Sequence, residues 1–356
     1  MTRTRLKPAH AVLAAGLLLT PVVLILDWAG LADELVLFVL AGLALIPLSW
    51  VIGEATDQLA NHTGPGIGGF LNATFGNAPE LIIALIAVSS GLTEIVRASL
   101  VGSVAGNLLL VLGLTLLLGR QGPIDRKSAY LSLGLVGFAT LLILAAATPG
   151  FHGDENRRSL AELSVLISVV LLAVCAVVTR YALRRHRQIG LAAAEPGSGS
   201  GDSWPLAAAL TVLAVATALT ALVSETLVST LQAFAAAAHL PEFFVALIIV
   251  AIVGNATEHG SAIMLARRGR IKLATEIPLA SGAQIAGLVM PLIALLSWGW
   301  QPLTLSFRPF ELIALAAAAA LPALVLRSGR TSRLSGAILL SAYSVLAVTS
   351  YLVGDA

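Results

Sequence analysis

The sequence predicts an all-α integral membrane protein of about eleven transmembrane helices, one extra N-terminal helix followed by two inverted five-helix repeats. Three observations predict it. Of 356 residues, 58% are hydrophobic and only 11% charged, against roughly 25% charge in an ordinary soluble domain. Apolar runs recur at about 11–26, 35–53, 67–90, 98–118, 129–147, 160–180, 204–225, 242–266, 275–298, 308–327 and 334–353, most near the roughly 20 residues that a span requires. One pattern, Gly-Asn-Ala-x-Glu, occurs at 76–80 in the third run and again at 254–258 in the eighth. Five crossings separate the copies, so they run in opposite directions, as in transporters built from inverted repeats.

Taken in order, Arg3, Arg5 and Lys7 precede the first run, which has the flanks of either a signal peptide or a span; ten further runs behind it favour a span. With the N-terminus inside, the connections 54–66, 119–128, 181–203, 267–274 and 328–333 are cytoplasmic. Every lysine and arginine then lies inside except Arg97, Arg157, Arg158 and Arg308, as the positive-inside rule requires. The longest polar break, Arg184 to Trp204, ends in Pro196-Gly-Ser-Gly-Ser-Gly-Asp202 and reads as a flexible linker. The expected plan is 1–32 as tail and extra helix, 33–183 as the first repeat, 184–203 as a cytoplasmic linker and 204–356 as the second repeat.

Composition excludes several roles. Spans consume nearly the whole chain, so no sizeable soluble domain remains. A net charge of +2, dispersed over short loops, offers no nucleic-acid surface. The single cysteine, Cys175, sits in an apolar run, so no intrachain disulfide forms and packing is its expected role.

Glu80 and Glu258 carry the chemistry. A carboxylate at bilayer depth is costly and is a functional candidate by default. In each motif Asn and Glu are three apart and Gly and Glu four apart, so Gly76, Asn77 and Glu80, and likewise Gly254, Asn255 and Glu258, would share one face of a continuous helix. Pro79 is expected to free carbonyls near Phe75 and Gly76, whereas Gly254 alone must loosen span 8. Ser103 follows Gly76 by 27 residues and Ser281 follows Gly254 by 27. Each serine opens a polar patch holding an amide, Asn107 in span 4 and Gln284 in span 9; small-residue packing between helices would account for the Gly and Ser, while the two amides are read as site residues. Carbonyls, amide oxygens and two carboxylates make an all-oxygen set suited to a hard cation, with Ca²⁺ fitting best and Mn²⁺ and Na⁺ behind it. No resident cofactor is called for. His259 points about 100° from Glu258 on a helix and suits a proton relay, or equally a packing histidine. Glu54, Asp57 and Glu225 sit at expected span ends, as entrance carboxylates or simply solvated ones.

These residues resemble the Ca²⁺/H⁺ antiporter family, within the superfamily of cation/Ca²⁺ exchangers. Leu71-Asn72-Ala73-Thr74-Phe75-Gly76-Asn77-Ala78-Pro79-Glu80-Leu81-Ile82 is similar to its first repeat signature, and Val253-Gly254-Asn255-Ala256-Thr257-Glu258-His259 to its second. Gly102-Ser103 with Asn107-Leu108-Leu109-Leu110-Val111-Leu112-Gly113 adds a third match. The resemblance implies that Glu80 and Glu258 are the central Ca²⁺ and proton residues, surrounded by Asn77, Asn255, Ser103, Asn107, Ser281 and Gln284. Three features depart from the family's pattern. Ala280-Ser281-Gly282-Ala283-Gln284 stands where Gly-Ser-Ser-Thr-Gln is usual, Pro79 stands where Thr is common, and the stretch before Trp204 lacks an acidic run.

The expectation is therefore a secondary transporter, not an enzyme, exchanging cytoplasmic Ca²⁺ for protons across a prokaryotic plasma membrane. Its partners are Ca²⁺, H⁺ and membrane lipid, with self-association left open. An antiporter for Na⁺, K⁺ or Mn²⁺ is the alternative. A passive channel would prefer rings of groups from several subunits, and no His-Glu-x-x-His or paired catalytic Asp supports a protease.

Overall fold

The structure, a computed structural model, describes residues 15–151, 157–193 and 204–353. Arg3, Arg5, Lys7 and the C-terminal Ala356, on which the expected orientation also rests, lie outside the described residues. Within them are twelve helices and no strand. They are α1 (Leu19–Trp28), α2 (Glu34–Phe75), α3 (Ala78–Ser89), α4 (Thr93–Leu118), α5 (Arg126–Phe151), α6 (Arg157–Ala193), α7 (Leu206–Ala237), α8 (Glu242–Gly254), α9 (Ala256–Arg267), α10 (Ile271–Gly299, closing in a 3-10 turn), α11 (Pro309–Val325) and α12 (Arg333–Val353). Seven are long and apolar enough to cross a membrane, and α8 with α9 is apolar enough as a pair, bent by 62° at the break between them. The chain is thus a multi-pass integral membrane protein.

Each expected run meets a helix, but eleven separate spans do not appear among the described residues. The connection expected at 54–66 is helical, and α2 continues through it for 42 residues. The reason lies in spacing. Glu54, Asp57, Gln58, Asn61 and His62 fall at i, i+3, i+4, i+7 and i+8, the polar stripe of an amphipathic helix rather than a loop. Gln58 Nε2 donates to Glu54 Oε1 at 3.1 Å along that stripe. Glu225, expected to end a span, lies exposed in the body of α7. The linker expected from 184 begins as helix, since α6 runs on to Ala193: Arg184, Arg185, Arg187 and Gln188 are good helix formers, and the first breaker is Pro196. Residues 194–203 lie outside the described set.

The helices gather into two compact units, each drawing on both sequence halves. One comprises the described residues within Met1–Ile86 and Gly197–Glu242. Here α2 and α7 run antiparallel, because Phe38 stacks on Phe234 at 4.1 Å while, further along α2, Gln58 Oε1 accepts from the Trp204 N–H at 3.2 Å and His62 Nε2 meets the Trp204 carbonyl at 2.7 Å. Thr226 of α7 donates to Asp27 at the end of α1. Ile52, Ala55 and Leu59 of α2 pack with Ala78, Leu213 and Ala216 into a core that seats the first motif against α7.

The other unit comprises the described residues within Ala87–Pro196 and Phe243–Ala356. Its centre is α4, the most enclosed of the seven long apolar helices. Small residues allow this. A Cβ at Gly102 would lie 1.8 Å from the Leu247 carbonyl oxygen, and one at Gly336 would lie 2.7 Å from that of Gly113, so α8 and α12 each touch α4 backbone to backbone, the close packing that holds helices together in lipid. At one end the connections after α4 and α11 are laced together: Thr331 N–H donates to the Gly122 carbonyl, Ile124 N–H to that of Gly329, and Gly122 N–H to Thr331 Oγ1.

Candidate functional site

Each Gly-Asn-Ala-x-Glu sequence marks a break between two helices. α2 ends at Phe75 and α3 begins at Ala78; α8 ends at Gly254 and α9 begins at Ala256. The Asn is the capping residue of the new helix in both copies, for its carbonyl accepts from the N–H four residues on, Leu81 to Asn77 at 3.1 Å and His259 to Asn255 at 3.0 Å. Gly and Glu therefore do not share one face of a continuous helix, as the spacing alone suggested. Glu80 and Glu258 instead occupy the third position of a fresh helix, in the first turn, where the positive end of the macrodipole faces a carboxylate. Pro79 also changes role: it sits in the first turn of α3, where its missing N–H leaves no hydrogen bond unmade, and the helix is already broken ahead of it. Asn77, at 1% exposure, and Glu80, at 7%, are both buried.

Around the second motif the structure brings together five residues that the sequence singled out. Asn107 Nδ2 donates to Asn255 Oδ1 at 2.9 Å and to the Ser103 carbonyl at 3.0 Å. Asn255 Nδ2 donates to Ser103 Oγ at 2.9 Å and to the Ala251 carbonyl at 2.9 Å. The Asn255 amide is thereby committed to holding the bend, with one Oδ1 lone pair remaining for anything else. Ser281 on α10 lies within hydrogen-bonding reach of the Glu258 carboxylate. Asn107 Oδ1 is buried with no hydrogen-bond partner. Leaving such an atom unsatisfied costs about 1–3 kcal/mol, so this oxygen at the second motif is one that a cation would satisfy. Among the described residues no group of three or more His, Cys, Asp and Glu converges, so amide and hydroxyl oxygens would have to complete any coordination. His259 is buried, with Nε2 unpartnered. Gln284 closes the first α-helical stretch of α10, which a π turn separates from a second at Met290–Leu296.

Two features escaped the sequence reading. Three π-helical turns adjoin these residues: Gly106–Val111 contains Asn107, Val245–Val250 leads to Gly254, and Ile285–Val289 follows Gln284. Such turns recur at functional sites, but residue type carries no signal for them. A charged cluster also joins Glu94, Arg97, Arg308 and Glu311. Its signal was present, since two of the four arginines on the wrong side of the charge rule each have a glutamate three residues away.

The sodium/calcium exchanger protein family matches residues 34–184 and 208–352, and the chain belongs to that family. Three of its relatives are named Ca²⁺/H⁺ antiporters. It is 37% identical over 348 residues to the Ca²⁺/H⁺ antiporter ChaA of Bacillus subtilis, covering 96% of this chain and 97% of that one. To the Ca²⁺/H⁺ antiporter of Aphanothece halophytica it is 35% identical over 354 residues, covering 94% and 95%. Among solved structures it is similar to native YfkE, with a TM-score of 0.80, 33% identity, and coverage of 97% of this chain and 99% of that one.

Proposed function

We propose that this protein is a secondary transporter that exchanges Ca²⁺ for protons, with Glu80 and Glu258 alternately binding the two. The observation that carries the reading is the repeated helix break: twice in an apolar chain, a buried-oxygen motif places a glutamate in the first turn of a new helix. The antiporters named above, alike over nearly their whole length, support Ca²⁺ as the cargo.

The chemistry follows from charge. Ionised carboxylates are poorly solvated at bilayer depth, so an empty site takes up protons, and a divalent ion expels them by supplying the missing countercharge. Two carboxylates balance one Ca²⁺. Returning them empty and ionised would expose two unpaired charges to low dielectric, which opposes leak and enforces exchange. Asn77 and the carbonyls at Gly76 and Gly254 complete the oxygen set, with Asn107, Ser281 and Gln284 around it. Asn255 and Ser103 hold the second bend. His259 shapes proton access. The membrane is a prokaryotic plasma membrane, with the N-terminus and the 194–203 stretch cytoplasmic.

Flux in proteoliposomes carrying a pH dye, scanned over Ca²⁺, Mn²⁺, Na⁺ and K⁺, tests the reading. Proton release driven by Ca²⁺ ahead of the others is expected. Proton movement with Na⁺, K⁺ or Mn²⁺ but not Ca²⁺ replaces it with the alternative antiporter, and Ca²⁺ flux without proton movement sinks exchange altogether.

A further inference from the structure

α8 is a short arm that ends at Gly254 and Asn255, and three contacts within one compact unit brace it. At its end, Asn255 accepts a hydrogen bond from Asn107 Nδ2 and donates one to Ser103 Oγ. In its π turn, Leu247 meets the backbone of α4 at Gly102. At its start, Phe243 lies under the Arg308 guanidinium, Cζ 5.8 Å from the ring centroid, and against the edge of Phe310 at 5.9 Å. The contact with α4 stands between the other two and can serve as a fulcrum.

Arg308 is itself held. Its Nη2 pairs with Glu94 Oε2 at 2.6 Å, and its backbone N–H donates to Glu311 Oε2 at 2.6 Å. Glu311 is 1% exposed. Arg97, one turn along α4 from Glu94, lies within electrostatic reach of both carboxylates. Two positive and two negative charges thus bridge the first turns of α4 and α11 and reach the start of α8. The outermost pair is open to solvent, with side-chain exposures of 41% for Arg308 and 60% for Glu94.

We propose that Arg308, held by Glu94 and Glu311, is a positioning residue that clasps the start of α8, and that releasing this clasp opens the second motif toward the membrane face on which Arg308 lies. The proposal rests on the exchange reading above. A cation over an aromatic ring and a solvated ion pair are weak, reversible contacts. They are suited to breaking once per cycle, whereas the backbone contact at Gly102 is not. Loss of the pair is expected to shift the closed-to-open ratio by up to about fivefold, the equivalent of about 1 kcal/mol. Because apparent affinity scales with the fraction of protein competent to bind, the two faces of the membrane should respond in opposite directions.

The first test measures half-saturating Ca²⁺ on each face of oriented proteoliposomes for the parent protein, Glu94→Gln, Arg308→Gln and Arg308→Lys. Glu94→Gln and Arg308→Gln should each bind more tightly on the clasp's face and more weakly on the other, by about two- to fivefold, whereas Arg308→Lys, which keeps a cation for both Glu94 and the Phe243 ring, should stay close to the parent. Shifts of the same sign on both faces, no shift, or an Arg308→Lys variant that behaves as Arg308→Gln overturns the clasp. The second test needs no transport. Amide hydrogen exchange of residues 242–250 should quicken severalfold in Arg308→Gln while 256–267 stay as before. Unchanged protection there overturns the clasp even if the parent protein moves no Ca²⁺, the result that would instead sink the exchange reading.

Discussion

The two Gly-Asn-Ala-x-Glu motifs are nearly the same in sequence and are built differently in space. The first follows a helix of 42 residues, breaks at a two-residue turn, and continues through Pro79 into α3, seated in a core shared with α7. The second follows the short arm α8 with its π turn, bends by 62° at Asn255, and is tied by side-chain amides to α4. Both deliver a glutamate to the first turn of a new helix. One copy rests on apolar packing of a long helix pair, the other on a polar clasp around a small-residue crossing. Local sequence sets the break, and the neighbours set how stiffly it is held.

Five substitutions would break or sharpen that comparison, and a sixth, at His259, would probe what lies beside it. The largest effect is expected from Glu80→Gln and Glu258→Gln. Each removes a charge and keeps the shape, so each should abolish Ca²⁺-driven proton movement while the protein still elutes as a folded species. Parent-like exchange in either would break the equivalence of the two motifs. Next comes Gly102→Ala, which forces a methyl group to 1.8 Å from the Leu247 oxygen. Because backbone cannot yield as a side chain does, the loss should reach or exceed the about 1–3 kcal/mol of an overpacked core, read as a lower midpoint of thermal unfolding in detergent. Asn255→Ala leaves Asn107 and Ser103 without their buried partner and should cost about 1–3 kcal/mol in the same assay. A parent-like midpoint would mean that the amide clasp does not hold the bend. His259→Ala should displace the pH profile of exchange and leave Ca²⁺ binding at high pH largely intact, as equilibrium binding would show. Complete loss of binding would make His259 a ligand. The smallest effect is expected at Pro79→Thr, which restores the residue type of the second motif in a first turn where no N–H is required. It should lower the unfolding midpoint by less than Asn255→Ala does in the same assay.

Much of the molecule was legible before its structure. Spans of apolar residues, the bias of arginines and lysines, and the repeated motif suffice for an all-helical membrane protein with two interrupted helices, because burial in lipid imposes a composition that no soluble fold needs. Glu80 and Glu258 stood out for the same reason. The stretch 54–66 was harder. Its five polar residues look like a loop when read for hydropathy and like a helix face when read for spacing, and only the partner they hold, the Trp204 backbone, decides between the two. The end of α6 was missed because charged residues stop a membrane span without stopping a helix.

What the sequence determined by itself is local: where apolar backbone must be helical, and which two carboxylates it carries to bilayer depth. That each glutamate falls in the first turn of a new helix rather than along a continuous one was seen only in the structure. Tertiary structure alone decided the rest. The partition into two units that each combine pieces of both halves, the engagement of Asn255 by Ser103 and Asn107, the backbone contact at Gly102 and the pairing of Arg308 with Glu94 all join residues far apart in the chain. Periodicity reports only which face of a helix is apolar or polar; which neighbour that face meets depends on packing, and packing is settled by shapes and hydrogen bonds contributed from elsewhere in the chain.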